Sequence, residues 1–396
     1  MINSIHDAYF SGKHVLLRVD LNVPFDNDGN ITDDKRIVES LTTIDEIIDK
    51  GGIPILLSHL GRPKGKRNSE FSLKPVADYL VSHFGYKVIF ADDCIGEAAE
   101  NAVHEAEPGD IVLLENLRFY NEEEANNSNF ASKLAKLGDC YVNDAFGAAH
   151  RAHASIEAIT KFMPERYAGN LMIKELRYLG NAVDEPRRPF TAVIGGAKIS
   201  GKIDVINSLL QKCDNIIIGG GMMFTFYKAM GYEIGNSLLE ADKVELAKEV
   251  IANAKSQGIN LLLPSDVVIA DKFSNDANYK TVEADSIVAG DIGMDIGEKT
   301  IGLYKEFISN SKTVVWNGPM GVFEMPNFAK GTLAVAEALA EATEKGAVTI
   351  VGGGDSAAAI NQMKYDSKVS HVSTGGGASL EYLEGKVLPG VAALEV

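Results

Sequence analysis

Short apolar segments rich in β-branched residues alternate along the whole chain with longer segments of helical periodicity. Such alternation is typical of α/β proteins, in which helices join parallel strands. The short segments are continuously apolar, as is usual for strands that are buried on both faces of a sheet. The predicted strands of the first half are residues 14–19, 53–58, 87–90, 111–114 and 140–143. Those of the second half are residues 191–194, 215–218, 260–263, 313–316, 347–351 and 371–373.

A helix with one apolar face separates the two sets of strands. Residues 171–183 carry apolar side chains at helical spacing, and two prolines among charges, Pro186 and Pro189, follow. Prolines of this kind end a helix and mark a boundary. The pattern predicts two doubly wound, Rossmann-like parallel-sheet domains joined by a hinge helix. The predicted bounds are residues 1–170 for the first domain, 171–187 for the helix and linker, and 188–384 for the second domain.

Composition and charge exclude several functional classes. The formal net charge of -17 argues against a nucleic-acid partner, which requires a basic surface. The first ten residues lack the basic and apolar regions of a signal peptide, and no apolar run approaches the roughly 18–20 residues that cross a bilayer. The three cysteines show no metal-binding spacing. We therefore expect a cytoplasmic protein with small-molecule partners and no membrane contact, and a monomer because no heptad pattern is visible.

Arginine and glycine are unevenly distributed. All ten arginines lie at or before Arg188, whereas 25 of the 38 glycines follow residue 190. Arginine side chains bind carboxylates and phosphates through two parallel hydrogen bonds. Glycine turns let backbone N–H groups approach nucleotide phosphates. The distribution predicts two anion sites of different construction.

The residues that follow each predicted strand indicate where these sites lie, because ligands of open parallel sheets bind beyond the carboxyl ends of the strands. In the first half Arg62, Arg118 and Arg151 lie beyond strand ends, and Arg36 opens the first predicted helix. In the second half the strands run into small residues. These small-residue segments are Gly195-Gly196, Gly219-Gly220-Gly221, Asn317-Gly318-Pro319, Gly352-Gly353-Gly354 and Gly375-Gly376-Gly377.

Charged residues accompany the glycines. Asp355 lies near a predicted helix N-terminus, where it would serve either as a helix cap or as an oxygen ligand of nucleotide-bound Mg²⁺. Lys198 and Lys202 are four apart at the start of a helix predicted over residues 199–210, and if both are helical they share one face. They would then be either two solvated lysines or a pair that holds phosphate oxygens. Neither a P-loop nor a dinucleotide fingerprint is present, which disfavours P-loop NTPases and weakens a dehydrogenase interpretation.

Eight segments together resemble the phosphoglycerate kinase family. They occur in the family's order and span nearly the whole chain. They are residues 18–24, 58–63, 115–119, 145–155, 195–203, 316–324, 352–356 and 371–381. One departure is Gly201, because the family often has an acidic residue at this position.

The resemblance implies that the first domain binds 3-phosphoglycerate or 1,3-bisphosphoglycerate, that the second binds MgADP or MgATP, and that a tail of about residues 385–396 packs back on the first. The implied substrate residues are Asp20, Asn22, Arg36, His59, Arg62, Arg118 and Arg151. The implied nucleotide residues are Lys202, Gly219, Gly220, Gly293, Asn317, Pro319, Glu324, Gly353, Gly354, Asp355 and Ser356, with Asp355 facing the Mg²⁺ ion. The implied catalytic residues are Arg36, Lys198, Gly375 and Gly376.

The resemblance also implies a reaction: reversible, direct in-line phosphoryl transfer between 1,3-bisphosphoglycerate and MgADP after closure about the hinge helix, in glycolysis. Two alternatives stay open from the residues. One is a different two-domain kinase or ligase that acts on a phosphorylated carboxylate, which an assay with other acids would separate. The other is a non-catalytic protein that binds nucleotides or senses sugar phosphates, which would fold but show no turnover.

Overall fold

The structure, a computed structural model, describes every residue from Met1 to Val396. The chain divides into two compact units, one formed by Met1–Arg177 with Val387–Val396 and the other by Tyr178–Lys386. The chain passes from the first unit to the second within helix α6 (Asn170–Asp184).

A six-stranded parallel sheet forms the centre of the first unit, in the order β3-β4-β2-β1-β5-β6. Its strands are β1 (His14–Arg18), β2 (Ile53–Leu57), β3 (Lys87–Ala91), β4 (Asp110–Leu114), β5 (Cys140–Asn143) and β6 (Arg166–Ala168). Its helices before α6 are α1 (Lys35–Asp49), α2 (Lys74–Phe84), α3 (Glu97–Glu105), α4 (Asn121–Glu124) and α5 (Ser128–Ala135). Arg18, the last residue of β1, pairs with Leu57 and Asn143, so three strands end at one level of the sheet edge.

Helical periodicity decides how α1 packs on this sheet. Ile37, Ile44 and Ile47 recur three to four residues apart and are all fully buried. They belong to one hydrophobic cluster with Val15 and Leu17 of β1. Packing of this apolar face holds the N-terminal turn of α1, and with it Arg36, at the carboxyl edge of the strands.

The C-terminal tail belongs to the first unit. Helix α14 (Pro389–Ala392) lies against the loop that follows β5, where the Gly390 N–H donates to the Ala149 carbonyl at 2.8 Å. Near the chain ends, Ile2 and Glu395 form an antiparallel bridge. The last residues of the chain therefore support a loop of the first unit.

The second unit has its own six-stranded parallel sheet, in the order β15-β14-β13-β7-β8-β9, and a separate three-stranded antiparallel sheet. The parallel strands are β7 (Phe190–Ile194), β8 (Asn215–Ile218), β9 (Asn260–Leu262), β13 (Thr313–Asn317), β14 (Val348–Val351) and β15 (His371–Val372). The antiparallel strands are β10 (Asp266–Ala270), β11 (Tyr279–Glu283) and β12 (Ile292–Ile296). The helices are α7 (Ile203–Leu210), α8 (Met223–Ala229), α9 (Val244–Gln257), α10 (Glu298–Asn310), α11 (Lys330–Glu344), α12 (Gly354–Gln362) and α13 (Gly377–Leu383).

The predicted fold class, two parallel-sheet α/β domains with a helix between them, is confirmed. Four strands are additional to the prediction: β6 and the three strands of the antiparallel sheet. Strand β11 is largely exposed and therefore carries few apolar residues, and β12 includes Gly293 and Asp295, which interrupt its apolar pattern. A periodicity search cannot find strands of this kind.

No helix of the protein combines the length and the apolar character needed to cross a bilayer. The three cysteines, Cys94, Cys140 and Cys213, are buried free thiols.

Candidate functional sites in the two units

Arg18 is the centre of a buried polar network at the carboxyl edge of the first sheet. Its side chain is fully buried, and its Nε donates to the Ser155 hydroxyl at 2.9 Å. A second nitrogen, Nη1, donates to the Val19 carbonyl, and Nη2 lies 3.2 Å from Nδ1 of His59. These contacts hold the cation rigidly beneath the residues that follow β1.

Asp20, Arg36 and His59 form the next layer. Nη1 of Arg36 donates to Oδ2 of Asp20 at 2.7 Å, and Nδ1 of His59 lies 4.0 Å from Oδ1 of Asp20. Burial, opposed by Asp20 and reinforced by the neighbouring arginines, holds the pKa of His59 well below its usual range. His59 is therefore neutral near pH 7. Burial by itself would raise the pKa of Asp20, but the nearby cations lower it, so its carboxylate stays ionised.

Gly61 connects two further predicted residues. Its N–H donates to Oδ1 of Asn22 at 2.8 Å, and its carbonyl accepts from Nη1 of Arg118 at 2.8 Å. Arg118 is buried and also pairs through Nε with Glu124 at 3.3 Å. Arg62 follows Gly61 on the exposed surface, and Arg151 is half-buried with its Nε donating to Nε2 of His150 at 3.1 Å.

Glu123 and Ser155 lie behind this layer. Glu123 is fully buried and accepts from the Ser155 N–H at 2.9 Å and from the Ser155 hydroxyl at 2.6 Å. Burial raises the pKa of Glu123, and burial together with Arg18 lowers the pKa of His153 to about 3. A neutral His153 adds no charge, so the cationic character of the cluster comes from its arginines.

These residues surround the carboxyl edge of β1 with more cations than anions. Arginine side chains that are already positioned by carbonyls and carboxylates lose little freedom when they bind a ligand, which suits a small anion with several oxygen atoms. The structure brings Asp20, Arg36 and His59 into one contact group, and Asn22 and Arg118 into a second group around Gly61.

The second unit has a site of different construction, in which three strand-end loops are joined through their backbones. The Gly195 N–H donates to the Asn317 carbonyl and the Gly196 N–H to the Pro319 carbonyl, both at 2.9 Å. The Gly220 N–H donates to the Met320 carbonyl, also at 2.9 Å. Gly318 has a φ of +103°, and a Cβ atom there would lie 2.2 Å from the Gly195 carbonyl oxygen. Only glycine permits this close approach of the loops after β7 and β13.

Two cavities open beside these loops. The larger, of about 620 Å³, has walls that include Gly220, Phe224, Gly293 and Glu324, and most of its other wall residues are apolar. The smaller, of about 310 Å³, is lined by polar groups and glycines. These include Lys198, Lys202, Asn317, Gly353, Ser356 and Gly376. Asp355 lines both cavities, so a ligand with an apolar ring and a charged chain can occupy both.

Lys202 lies in the smaller cavity with Asn317. Its Nζ donates to Oδ1 of Asn317, whose Nδ2 is a buried donor without a protein partner. Burial lowers the pKa of Lys202 to about 8, although Asp355 opposes this shift. A phosphate oxygen at this position would receive hydrogen bonds from both side chains.

The prediction that Lys198 and Lys202 lie on one face of a helix is wrong. Helix α7 begins at Ile203, and Lys202 is its N-cap residue, with φ of -130° and ψ of -7°. Both lysines therefore belong to the loop after β7. The physical reason lies in Ser200, whose N–H and hydroxyl bond to the carboxylate of Glu240 and hold this segment outside the helix.

Asp355 and Ser356 lie in the first turn of α12, whose N-cap residue is Gly353. Asp355 is therefore not the cap; its exposed side chain lines the cavities. The buried Ser356 hydroxyl accepts from the Gly318 N–H and keeps its own proton to donate. The helix N-terminus adds backbone N–H groups, which favour a bound anion.

No cluster of three or more His, Cys, Asp or Glu side chains forms a metal site in the protein. A single carboxylate beside a phosphate-sized cavity nevertheless fits Mg²⁺, because this ion binds through one or two carboxylates and substrate phosphates and keeps much of its water. Asp355 is the carboxylate that lines the smaller cavity.

Several residues of the sites were missed by the sequence analysis. Arg18 and Ser155 were inside recognised segments but had no role, and Glu123 stands in a run of three glutamates that resembles a solvated surface. The walls of the larger cavity also include Phe224, Leu238 and Phe273. Apolar residues of this kind have no sequence signal that separates them from core residues.

Two parallel-sheet units, one with an arginine cluster and one with a glycine-walled cavity, are the architecture of a two-domain kinase. The family model described as phosphoglycerate kinase matches residues 5–386. The chain is 57% identical over 391 residues to the phosphoglycerate kinase of Chloroherpeton thalassium, covering 99% of this chain and 98% of the relative. It is 58% identical over 391 residues to that of Chlorobaculum tepidum, with the same coverage of 99% and 98%.

Solved structures agree with these relatives. The structure of phosphoglycerate kinase from Coxiella burnetii superposes with a TM-score of 0.90 at 40% identity, covering 100% of this chain and 99% of the other. The enzyme from Pyrococcus horikoshii superposes with a TM-score of 0.84 at 31% identity, covering 99% and 98%. The chain belongs to the phosphoglycerate kinase family. It is a glycolytic, ATP-binding phosphotransferase with a carboxyl group as acceptor, and the predicted family is confirmed.

Proposed function

We propose that the arginine cluster of the first unit binds 3-phosphoglycerate and 1,3-bisphosphoglycerate. The observation that carries this proposal is the network around Arg18, in which cations are already positioned at the carboxyl edge of the sheet. The residues proposed to contact the substrate are Asp20, Asn22, Arg36, His59, Arg62, Arg118 and Arg151. His59 is neutral and acts by hydrogen bonding, because no general base is required when the acceptor is an ionised carboxylate.

The second unit is proposed to bind ADP or ATP. The larger cavity suits the adenosine, since its apolar wall can receive the base and Glu324 can accept from ribose hydroxyls. The smaller cavity suits the phosphates, which would be held by Lys202, Asn317 and the N-terminus of α12. The full proposed set is Lys202, Gly219, Gly220, Gly293, Asn317, Pro319, Glu324, Gly353, Gly354, Asp355 and Ser356.

Asp355 would hold Mg²⁺ that arrives with the nucleotide, and the ion would neutralise phosphate charge. The protein's own contribution to transfer is positioning and charge stabilisation, because phosphoryl transfer leaves little covalent work for side chains. Arg36 and Lys198 are proposed to bind the equatorial oxygens of the transferring group. The backbone N–H groups of Gly375 and Gly376 would assist them.

The proposed reaction is direct in-line transfer between the acyl phosphate of 1,3-bisphosphoglycerate and ADP. Each unit holds one substrate, so transfer requires movement about the connecting helix that brings the reacting groups together and excludes water. Exclusion of water protects the acyl phosphate from hydrolysis. In glycolysis the net direction would be towards 3-phosphoglycerate and ATP.

A coupled assay tests this proposal. ATP consumption should depend on 3-phosphoglycerate and on Mg²⁺ together, and other phosphorylated or unphosphorylated carboxylic acids should support much less turnover. Detection of ATP synthesis from 1,3-bisphosphoglycerate and ADP in the same preparation would show the reverse direction. Turnover that is equally fast with unrelated carboxylic acids would contradict the proposed substrate.

A further inference from the structure

Glycines precede and interrupt the loop that carries Lys198 and Lys202. Gly195 and Gly196 precede it, and Gly201 lies inside it with no heavy atom within 4 Å of the position its Cβ would occupy. Within the loop, the Lys202 N–H donates to the Ile199 carbonyl at 2.8 Å, and the Ile199 side chain is buried. Because glycine adds no side-chain packing, contacts from outside the loop matter for keeping the two lysine side chains in place.

Glu240 supplies that contact. One of its carboxylate oxygens, Oε2, accepts from the Ser200 N–H at 3.0 Å, and Oε1 accepts from the Ser200 hydroxyl at 2.5 Å. Ser200 is two residues from each lysine, so a single carboxylate fixes the midpoint of the segment between them. Both bonds are charge-assisted, which makes them stronger than bonds between neutral groups.

The position of Glu240 is itself determined by packed structure. Its N–H donates at 3.3 Å to the hydroxyl of Thr225, a buried residue of α8. Burial alone would raise the pKa of Glu240, but the bonds from Ser200 and the charge of Lys198 lower it, so the carboxylate is ionised near neutral pH. Helix α8 thus positions Glu240, and the Glu240 side chain in turn positions the loop that carries the two lysines.

We propose that Glu240 is a positioning residue for phosphoryl transfer, which holds Lys198 and Lys202 in place through Ser200. Glu240 is not among the residues that line the two cavities, and it acts on the reaction through the loop. The inference rests on the phosphate-binding roles proposed above for the two lysines. It assigns a function to a residue outside every recognised segment of the sequence.

The test replaces Glu240 and measures nucleotide and phosphoglycerate kinetics separately. Glu240→Ala should lower kcat about 10- to 100-fold, because misplacement of a catalytic group by about 1 Å costs on this order, and it should raise the KM for the nucleotide. The KM for 3-phosphoglycerate should stay unchanged, since its proposed site lies in the other unit. Glu240→Gln keeps one acceptor and should show a smaller loss, and Glu240→Asp should recover part of the kcat.

A double-mutant cycle with Ser200→Ala isolates the contact. The double variant Glu240→Ala/Ser200→Ala should be no worse than Glu240→Ala alone, because Ser200 is the residue through which Glu240 acts. Losses that add independently would overturn the proposal. The matched control is Glu245→Gln, because this side chain is 80% exposed, pairs with Lys248 and lies only five residues away.

The outcomes separate this inference from the function on which it rests. If Glu240→Ala lowers only the melting temperature and retains the parent kcat, Glu240 is merely structural and the inference fails, while a large loss in Lys198→Ala would still support the proposed function. If Lys198→Ala retains kcat, the proposed role of that lysine fails, whatever Glu240 does. Should Glu240→Ala not fold, the kinetics of the isosteric Glu240→Gln decide.

Discussion

The two proposed anion sites of this protein are built from different parts of the chain. In the first unit the cationic groups are side chains, and their rigidity comes from burial and hydrogen bonding, as in the fully buried Arg18. In the second unit the walls are largely backbone, and their rigidity comes from glycine loops that bond to one another. The uneven distribution of arginine and glycine along the sequence reflects this difference in construction.

The two sites should therefore lose function in different ways when a residue is replaced. In a site made of side chains, loss of one charged group should weaken ligand binding or catalysis. The fold should be retained, because several other side chains of the network remain. A site made of backbone should respond to the addition of a single carbon atom, because a Cβ leaves no room for the neighbouring loop. Substitutions in each unit therefore test this difference.

The largest effect is expected for Gly318→Ala. The new Cβ would lie 2.2 Å from the Gly195 carbonyl oxygen at a φ of +103°, and neither backbone segment can give way cheaply. We expect a loss of about 3 kcal/mol or more in the free energy of unfolding, measured by denaturant titration. Gly302→Ala is the control, because Gly302 lies in α10 with open space around the position of its Cβ. This variant should be slightly more stable than the parent protein. Equal behaviour of the two variants would refute the backbone description of the site.

Next in size are Arg36→Ala and Lys198→Ala, which remove one proposed transition-state contact from each unit. Each should lower kcat on the order of 10²-fold or more, because these groups stabilise charge that develops during transfer. Steady-state kinetics with both substrates measure this. A near-normal kcat in either variant would remove that residue from the catalytic set. Thermal unfolding should change little for Lys198→Ala, whose side chain is exposed.

Arg118→Ala should act mainly on substrate binding in the first unit. Its bond to the Gly61 carbonyl places the guanidinium beside Asn22, and a lost charged hydrogen bond costs about ten-fold or more in affinity. The KM for 3-phosphoglycerate should rise by that factor while the KM for the nucleotide stays constant. An unchanged KM for 3-phosphoglycerate would count against the substrate role of Arg118.

Much of this arrangement could be predicted from the sequence, for identifiable reasons. Continuously apolar segments predicted the parallel strands, and the rule that ligands bind beyond strand ends placed Arg118 and the glycine turns at the sheet edges. Both proposed anion sites therefore rest on residues that lie shortly after strands. The connecting helix was also predictable, because its apolar face has a clear period.

The parts that could not be predicted depend on tertiary contacts. Glu123 and Glu240 are ordinary surface acids by sequence, and only the fold shows that one is buried beneath Ser155 and the other bonded to Ser200. The same contact explains the wrong helix start, because pinning of Ser200 overrides the local helical pattern before Ile203. Strand β11 of the antiparallel sheet was missed because it is largely exposed.

The pH dependence of nucleotide binding offers a smaller but specific test. Burial lowers the pKa of Lys202 to about 8 in the free protein, so the side chain loses its charge as the pH rises through that value. A phosphate oxygen favours the protonated form, so the Kd for MgADP should rise by up to ten-fold per pH unit above about pH 8. At lower pH, Lys202 stays charged and its titration should not change the Kd. Calorimetric titration between about pH 7.5 and 9.5 would measure it. Lys202→Gln should bind MgADP more weakly and should lack the rise of the Kd above about pH 8. A constant Kd of the parent protein over this pH range would contradict the proposed role of Lys202.

The smallest effect is expected for Gly201→Ala, in the same loop as the two lysines. Gly201 lies outside α7, its φ is not positive, and a Cβ there meets nothing within 4 Å. Alanine should therefore raise the free energy of unfolding by about 0.4–1 kcal/mol, because it reduces the conformational entropy of the unfolded chain. The kcat should be nearly unchanged. Gly196→Ala is the matched control, because its Cβ also meets open space but its φ is +103°. This substitution should therefore lower the free energy of unfolding. If Gly201→Ala instead lowers kcat strongly, the loop needs its glycine for movement, and restraint by Glu240 alone does not describe how the lysines are held.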